Sequence, residues 1–331
     1  VNRNPAGVSV VVPVYRCLPY VENCLRSVLE QTRPITQIVL VDDRGGDESM
    51  ARAESYLRSR GVDFTSVVHE RNEGLGRARN SGLGAVTEDL VWFLDSDDEA
   101  APDFVERLES ALITASADFA CTRTTRVDES GRAIQIDEAP FDAMVVSGKE
   151  FARRLILGDA KAYACTKLFR RELLGERTWD EGQGYEDMAP VLRMSLAAER
   201  VALVEEPLYR YLYREGSIST SLTPRTLDLF KVERDIDSAL GDHSLSTTWG
   251  NEIRAFRYRE VLTSVAHVAM RARHASPTRP ALYDEAITRV RRSISTDDVI
   301  PLVRTGHRRE ALFAVMVKYT PGLYSAILRH R

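Results

Sequence analysis

The sequence predicts an α/β fold, a mostly parallel sheet flanked by helices, followed by a helical C-terminal region. Three observations carry this: short apolar runs alternate with amphipathic stretches over residues 8–94, the links between them are short, and from about residue 223 the pattern turns helical to the end. Alternating strands and helices with short links build parallel sheets through right-handed crossovers.

The first apolar run, VSVVVPV over 8–14, reads as a strand covered on both faces. A helix follows over 18–31, with Tyr20, Val21, Cys24, Leu25, Val28 and Leu29 at helical spacing. The alternation continues through strands at 37–41, 64–69 and 90–94 and helices at 48–60 and 76–86. Beyond Pro102 come a helix at 103–115, a strand near 119–126 and a polar hairpin-like stretch at 129–132, then helices at 147–157 and 186–198 and a strand at 201–204. The final helical region breaks at 274–280 and at Pro321-Gly322. Two domains are expected, 1–222 and 223–331.

With 331 residues, 44% hydrophobic and 28% charged, the chain has the composition of an ordinary globular protein. Its four cysteines lack C-x-x-C spacing and a companion histidine cluster, which argues against a zinc site or a disulfide framework and for a reducing cytoplasm. No window approaches the ~18 apolar residues of a membrane span, and no leader pattern opens the chain. The segment starts without Met and closes on a helix, so it also reads as part of a longer protein.

The net charge of −4 is uneven: residues 253–331 hold 15 Lys or Arg against 6 Asp or Glu, or +9, leaving −13 for residues 1–252. A basic helical surface most often faces solvent; it also suits anionic lipid, an anionic polymer or nucleic acid. Its apolar residues 311–317, Leu323, Tyr324, Ile327 and Leu328 would pack on the rest of the chain or a second subunit, or lie on an anionic membrane.

The fourth apolar run stops against Asp95, Asp97 and Asp98, in FLDSDD. If the strand continues, Asp95 and Asp97 share one face and Ser96 the other. Two carboxylates at i and i+2 suit Mg2+ or Mn2+, which takes its other ligands from water and substrate phosphates. The plainer alternative is a polar loop capping the next helix, with Asp98 an ordinary turn residue. Paired acids recur at Asp42 and Asp43 after the second strand, and Arg71, Asn72, Gly74, Gly76, Arg79 and Asn80 follow the third. Four successive strands thus aim polar loops at one carboxyl edge, where α/β sheets bind ligands.

In order and spacing, VSVVVPVYRCLPYVENCLRSVLEQT, IVLVDD, RNEGLGRARNSGL, FLDSDD, TKLFRRELL, YEDMAP and YREGSIS resemble the family 2 glycosyltransferases of the GT-A (Rossmann-like) fold. The likeness covers roughly residues 8–221. Two departures stand out: Arg16 where the family often has Asn, and Arg44 where Gly is usual. The resemblance implies an inverting, metal-dependent hexosyl- or N-acetylhexosaminyl-transferase using Mn2+ or Mg2+ and a nucleotide-sugar donor, a UDP-sugar above all. Pro13, Val14, Tyr15 and Asp42 or Asp43 would hold the base. Arg71, Asn72, Gly74, Arg79 and Asn80 would line the nucleotide or diphosphate, Asp95 and Ser96 the ribose side, and Asp97, with Asp95, the metal. Lys167 belongs to the same substrate-binding set. Asp187 would be the catalytic base, which a sugar hydroxyl needs before it attacks, with Glu186 beside it at the acceptor; acids in a first helical turn otherwise merely complement the dipole. Arg210, Arg214 and Ser217 resemble a segment that closes over the diphosphate.

The late segments resemble bacterial enzymes that extend cell-surface polymers, including teichoic-acid-type glycosyltransferases. The expected acceptor is therefore a cell-surface polysaccharide, a teichoic-acid-like chain or a lipid-linked glycan, met at the inner face of the membrane; no nucleic-acid partner is expected. A dinucleotide-binding dehydrogenase would need G-x-G-x-x-G after its first strand, where VPVYR stands. A nucleotidyltransferase would carry a basic glycine-rich loop there. A non-catalytic sugar-nucleotide or polymer-binding module would show loss of Asp97 or Asp187, and both are present.

Overall fold

Val8–Val14 forms β1 with every residue buried, as a doubly covered strand of an α/β sheet must be. The structure is a computed structural model and describes residues 7–214, 221–276, 278 and 280–329. The chain divides into two compact units, Val1–Tyr213 and Arg214–Arg331.

In the first unit β1 leads to α1 (Val21–Leu29), β2 (Gln37–Asp42), α2 (Ser49–Ser59), β3 (Thr65–Val68), α3 (Leu75–Leu83) and β4 (Leu90–Phe93). β5 (Glu99–Ala100), α4 (Phe104–Ala115), β6 (Phe119–Val127), β7 (Ala133–Ile136) and β8 (Val145–Ser147) come next, then α5 (Gly148–Leu157), β9 (Lys167–Arg170), α6 (Met188–Ala197) and β10 (Arg200–Leu212).

The strands join in the order β3-β2-β1-β4-β9-β6-β10-β5, with β7 on β6 and β8 on β10. β1 is parallel to β2 and β4, and β2 to β3. β9 lies antiparallel between β4 and β6, and β10 runs parallel to β6. The two reversals cancel, so β1 to β4, β6 and β10 all end at one edge. The sheet is mostly parallel with helices around it, as the alternation predicts.

Packing fixes the layers. Trp92 on β4 stacks on Phe104 of α4 at 4.6 Å and donates its indole N–H to the Cys165 carbonyl at 2.9 Å. α3 lies so close to the sheet that a Cβ at Gly82 would stand 2.3 Å from Val11 Cγ1. Cys17, Cys24, Cys121 and Cys165 are free thiols, all buried.

Some elements depart from the expected pattern. β5, β8 and β9 fall where no strand is expected, and the strand expected at 201–204 continues to Leu212. Its register shifts between Val204 and Tyr209, across Glu205, Glu206 and Pro207, which break the apolar alternation that marks a strand.

In the second unit, α7 (Leu229–Asp242) and α8 (Gly250–Phe256) precede a π-helical stretch, Arg257–Thr263, and α9 (Ser264–Ala275). α10 (Ala281–Ser293), α11 (Val299–Arg304), α12 (Arg308–Tyr319) and α13 (Pro321–Arg329) complete it. The break expected at 274–280 separates α9 from α10, whereas the one expected at Pro321-Gly322 falls one residue earlier, at Thr320, and Pro321 opens α13. No helix among the described residues is long and apolar enough to cross a membrane.

Candidate active site

The parallel register sets Val14 beside Asp42 and Asp42 beside Val68, so the loops after β1, β2 and β3 leave the sheet together. Pro13 and Val14 are buried in β1, whereas Tyr15, just past it, is 40% exposed. Asp42 and Asp43 diverge. Asp43 is buried, and its carboxylate accepts from His69 Nδ1 at 2.8 Å, Asn72 Nδ2 at 2.9 Å and the backbone N–H groups of Glu73 and Gly74 at 2.7 and 3.0 Å. Four donors on one carboxylate make it a knot tying the β2 and β3 loops. Asp42 is more open and takes the Arg44 backbone N–H at 2.9 Å and guanidinium at 3.0 Å.

Arg16 and Arg44 both adopt left-handed backbone conformations, φ 48° and 54°, a region that favours Gly and Asn. Arg16 donates to the Gly45 carbonyl at 2.9 Å and lies over the Tyr15 ring; Arg44 also reaches the His69 carbonyl at 2.7 Å. Side-chain bonds across the β1 and β2 loops thus hold both strained turns.

β4 ends at Phe93, and residues 95–98 form a turn in which the Asp98 N–H reaches the Asp95 carbonyl at 3.1 Å. Strand alternation therefore does not order these acids, correcting the expectation that Asp95 and Asp97 share a strand face. Nor is Asp98 an ordinary turn residue: it is 2% exposed and accepts the Tyr209 hydroxyl at 2.8 Å and the Leu212 N–H at 2.8 Å, pinning the turn to β10. Burial first, then the Asp97 and Asp95 charges, push its carboxyl well above the usual range. Ser96 is buried, while Asp95 and Asp97 keep partial exposure.

Asp95, Asp98 and Cys165 each place one ligand atom within 4.8 Å of the others, a group capable of metal binding. The donor set tests which metal fits. Burial raises the Cys165 thiol well above its ordinary value, and both Asp98 oxygens already hold protein donors, so the inner trio suits Mg2+ or Mn2+ poorly. The outer lip, Asp95 and Asp97, offers partly exposed carboxylates and fits a hard cation better.

Arg79 projects from α3 into the interior, 1% exposed. Its Nη1 donates to Glu186 Oε1 at 2.6 Å, its Nη2 to Asp95 Oδ1 at 2.8 Å, and the guanidinium lies over the Trp179 ring at 5.3 Å. One cation thus joins the β4 turn to the segment before α6. Asn80 clasps that segment too, bonding the Trp179 carbonyl, the Trp179 N–H and Glu181, each at 2.9 Å. Gly76 lets α3 approach: a Cβ there would stand 2.0 Å from the Asp180 carbonyl oxygen. Arg79 Nε, Trp179 Nε1 and Gln183 Oε1 are buried without hydrogen-bond partners among the described residues, leaving hydrogen-bonding capacity unspent beside the acid pair.

Tyr185, just before the acid pair, has φ 58°, the kind of strain that clusters at active sites. Glu186 is buried against Arg79. Asp187 stands at the start of α6 with no capping hydrogen bond from its side chain, so helix capping does not account for it. It retains some solvent exposure while its carboxyl is crowded by protein. Desolvation, then repulsion from Glu186, raise it to about 7 against the pull of Arg79. A carboxylate titrating near neutrality is poised as a general base.

The other expected residues are dispersed. Arg71 is exposed, and the exposed Asn72 is spoken for by Asp43; Gly74, with φ 90°, turns the chain into α3. Lys167 is fully buried and donates to the Lys161 and Tyr163 carbonyls at 2.8 and 2.7 Å. Arg210 donates to the Gly131 carbonyl at 3.1 Å, on the β6–β7 turn. Arg214 is half-buried in the second unit, and Ser217 lies outside the described residues. Trp179, Tyr209 and His69 complete the site without a sequence signal; for Asp98 the signal was its place in the acidic run.

Residues 9–178 match the family described as Glycosyl transferase family 2. The chain is 29% identical over 218 residues to EpsH of Bacillus subtilis (strain 168), covering 64% of this chain and 62% of EpsH. It is 28% identical over 226 residues to the glycosyltransferase GlyA of Streptococcus pneumoniae serotype 4, covering 66% of this chain and 32% of GlyA. It therefore spans less than two thirds of the length of these relatives. In fold it is similar to S. aureus TarS residues 1–349, solved with UDP-GlcNAc, with a TM-score of 0.68 and 21% identity over 94% of this chain and 88% of that one.

Proposed function

The chain belongs to glycosyl transferase family 2, and from that premise we propose that it moves a sugar from a nucleotide-sugar donor, a UDP-sugar, to a hydroxyl of a cell-surface polysaccharide, teichoic-acid-like or lipid-linked acceptor, inverting the anomeric carbon. The observation that carries this reading is the pairing of Asp187, raised to about 7, with an acidic turn that Arg79 joins to the neighbouring Glu186. The UDP-GlcNAc of the TarS structure supports the choice of donor.

The roles follow from placement. Tyr15 and Asp42 flank the base, where the Asp42 carboxylate accepts from an imide N–H; Asp43 holds the loops that shape that pocket. Asp95 and Asp97 would hold Mg2+ or Mn2+, which would supply charge stabilisation to the departing diphosphate. Asp187 takes the proton of the acceptor hydroxyl as its oxygen attacks the anomeric carbon and the diphosphate leaves from the opposite side. Glu186, held by Arg79, fixes the segment that carries the base. The transferase chemistry belongs to residues 1–222, and a lipid-linked acceptor sets the reaction at the inner face of the membrane.

The test is release of nucleoside diphosphate from a panel of sugar nucleotides with Mn2+, with and without polymer or lipid-linked acceptors, and the anomeric configuration of the product read by NMR. Acceptor-stimulated release with inversion is expected. Binding of a sugar nucleotide without turnover on any acceptor would leave a binding module, and a retained anomeric configuration would remove Asp187 from the base role.

A further inference from the structure

Among the described residues, fifteen large apolar side chains are exposed, and seven of them lie in α11 to α13: Ile300, Val303, Leu312, Val315, Tyr319, Leu323 and Ile327. These three helices make up less than a tenth of the chain, so the concentration is not the scatter of single apolar residues found on any surface.

α12 shows how it arises. Ala311, Phe313, Ala314 and Val317 are buried, while Leu312, Val315 and Tyr319, at i, i+3 and i+7, form a stripe on the opposite side, 59%, 41% and 62% exposed. A helix apolar on both sides is one that is covered on both sides. α13 repeats the arrangement. Its Tyr324 stacks on His267 of α9 and shares a hydrogen bond with it at 2.8 Å, fixing the inner side, while Leu323 and Ile327 point away at 58% and 44% exposure.

Charge chooses the occupant. Residues 299–329 hold Arg304, Arg308, Arg309, Lys318 and Arg329 against Glu310 alone, a net +4. Arg304, Arg308, Arg309 and Arg329 are exposed, with Arg308 one turn before Leu312 on the same side of α12. A two-fold contact with a second copy would bring these arginines against one another. An anionic bilayer meets both properties, its phosphates taking the arginines and its acyl boundary the apolar residues.

We propose that α11 to α13 form a docking face for an anionic lipid surface. The inference concerns where the protein rests and is independent of the transfer reaction.

Flotation of the full chain with vesicles of phosphatidylcholine, alone or mixed with phosphatidylglycerol, tests it. Expected are co-flotation with the anionic vesicles, at least about tenfold stronger than with the neutral ones, and weakening in high salt. The variants Leu312→Ser/Val315→Ser/Tyr319→Ser and Arg308→Glu/Arg309→Glu alter exposed side chains; each should lose most of the binding while keeping the parent's circular dichroism spectrum and melting temperature. The charge pair keeps the test open if the serine variant fails to fold. No binding to anionic vesicles at low salt, or equal binding by the folded variants, overturns the proposal. So does a dimer in analytical ultracentrifugation that the serine variant dissociates, which would make a second copy the occupant.

Discussion

Arg79 and Glu186 meet at 2.6 Å across 107 residues of chain, and the same guanidinium holds Asp95 at 2.8 Å. Removing a buried cation leaves its partner carboxylates uncompensated, so Arg79→Ala should cost about 3–5 kcal/mol of stability, read by urea unfolding. Arg79→Lys keeps the charge but not the two-pronged geometry. It should recover much of that stability and little of the turnover; full turnover in the lysine variant would show that charge alone suffices.

Asp187→Asn should lower transfer by about 10²–10⁴-fold while donor binding, read by calorimetry, persists. In the parent, the rate should rise with pH and level off above about 7, where burial and Glu186 set this carboxyl. A carboxyl raised in the folded state binds its proton more tightly there than when unfolded. Its contribution to stability is complete below the ordinary carboxylate value and lost as pH rises through about 7. The asparagine variant should therefore outlast the parent in urea at pH 8, with the gap closing toward pH 4.

The β4 turn separates two kinds of aspartate. Asp97→Asn should abolish most metal-dependent turnover while the protein stays folded. Asp98→Ala strands the Tyr209 hydroxyl and the Leu212 N–H, and should cost about 1–3 kcal/mol. A D97N variant as active as the parent in EDTA would take the metal away from this lip.

Gly76→Ala should disable the enzyme through the backbone. The added Cβ would stand 2.0 Å from the Asp180 carbonyl oxygen, so the segment carrying Glu186 and Asp187 must shift. Misplacement of about 1 Å can cost 10²-fold in rate, and a kcat loss larger than the loss of donor affinity is the signature to measure.

Arg44→Gly relieves a left-handed backbone at φ 54° but releases Asp42. The two effects oppose in stability, so melting should change little. Affinity for uridine diphosphate should fall several-fold as the carboxylate loses its fixed orientation; unchanged affinity would mean that Asp42 does not need its neighbour.

β1 to β4 and their helices were legible because buried parallel strands and amphipathic helices write their periods into local sequence. β10 was legible only to Val204, since Glu205, Glu206 and Pro207 interrupt the pattern while hydrogen bonds to β6 resume at Tyr209. Spacing brought the acids of the site into view but not their order of burial. The depth of Asp98 depends on Tyr209, 111 residues away, and that of Arg79 on partners beyond α3. Read along the chain, Arg79 is a residue lining a ligand and Asp98 one more acid of a run; the fold adds that each ties loops together.

The four free thiols bear on how the molecule can be studied. Burial, the largest cause in each case, raises Cys17, Cys24 and Cys165 above their ordinary values and Cys121 to about 12. Almost none of the thiolate that reacts with maleimides is then present at neutral pH. The native chain offers a silent background, and a single cysteine placed at Leu323, on the exposed side of α13, would take a fluorophore alone and report by its colour when that helix leaves water.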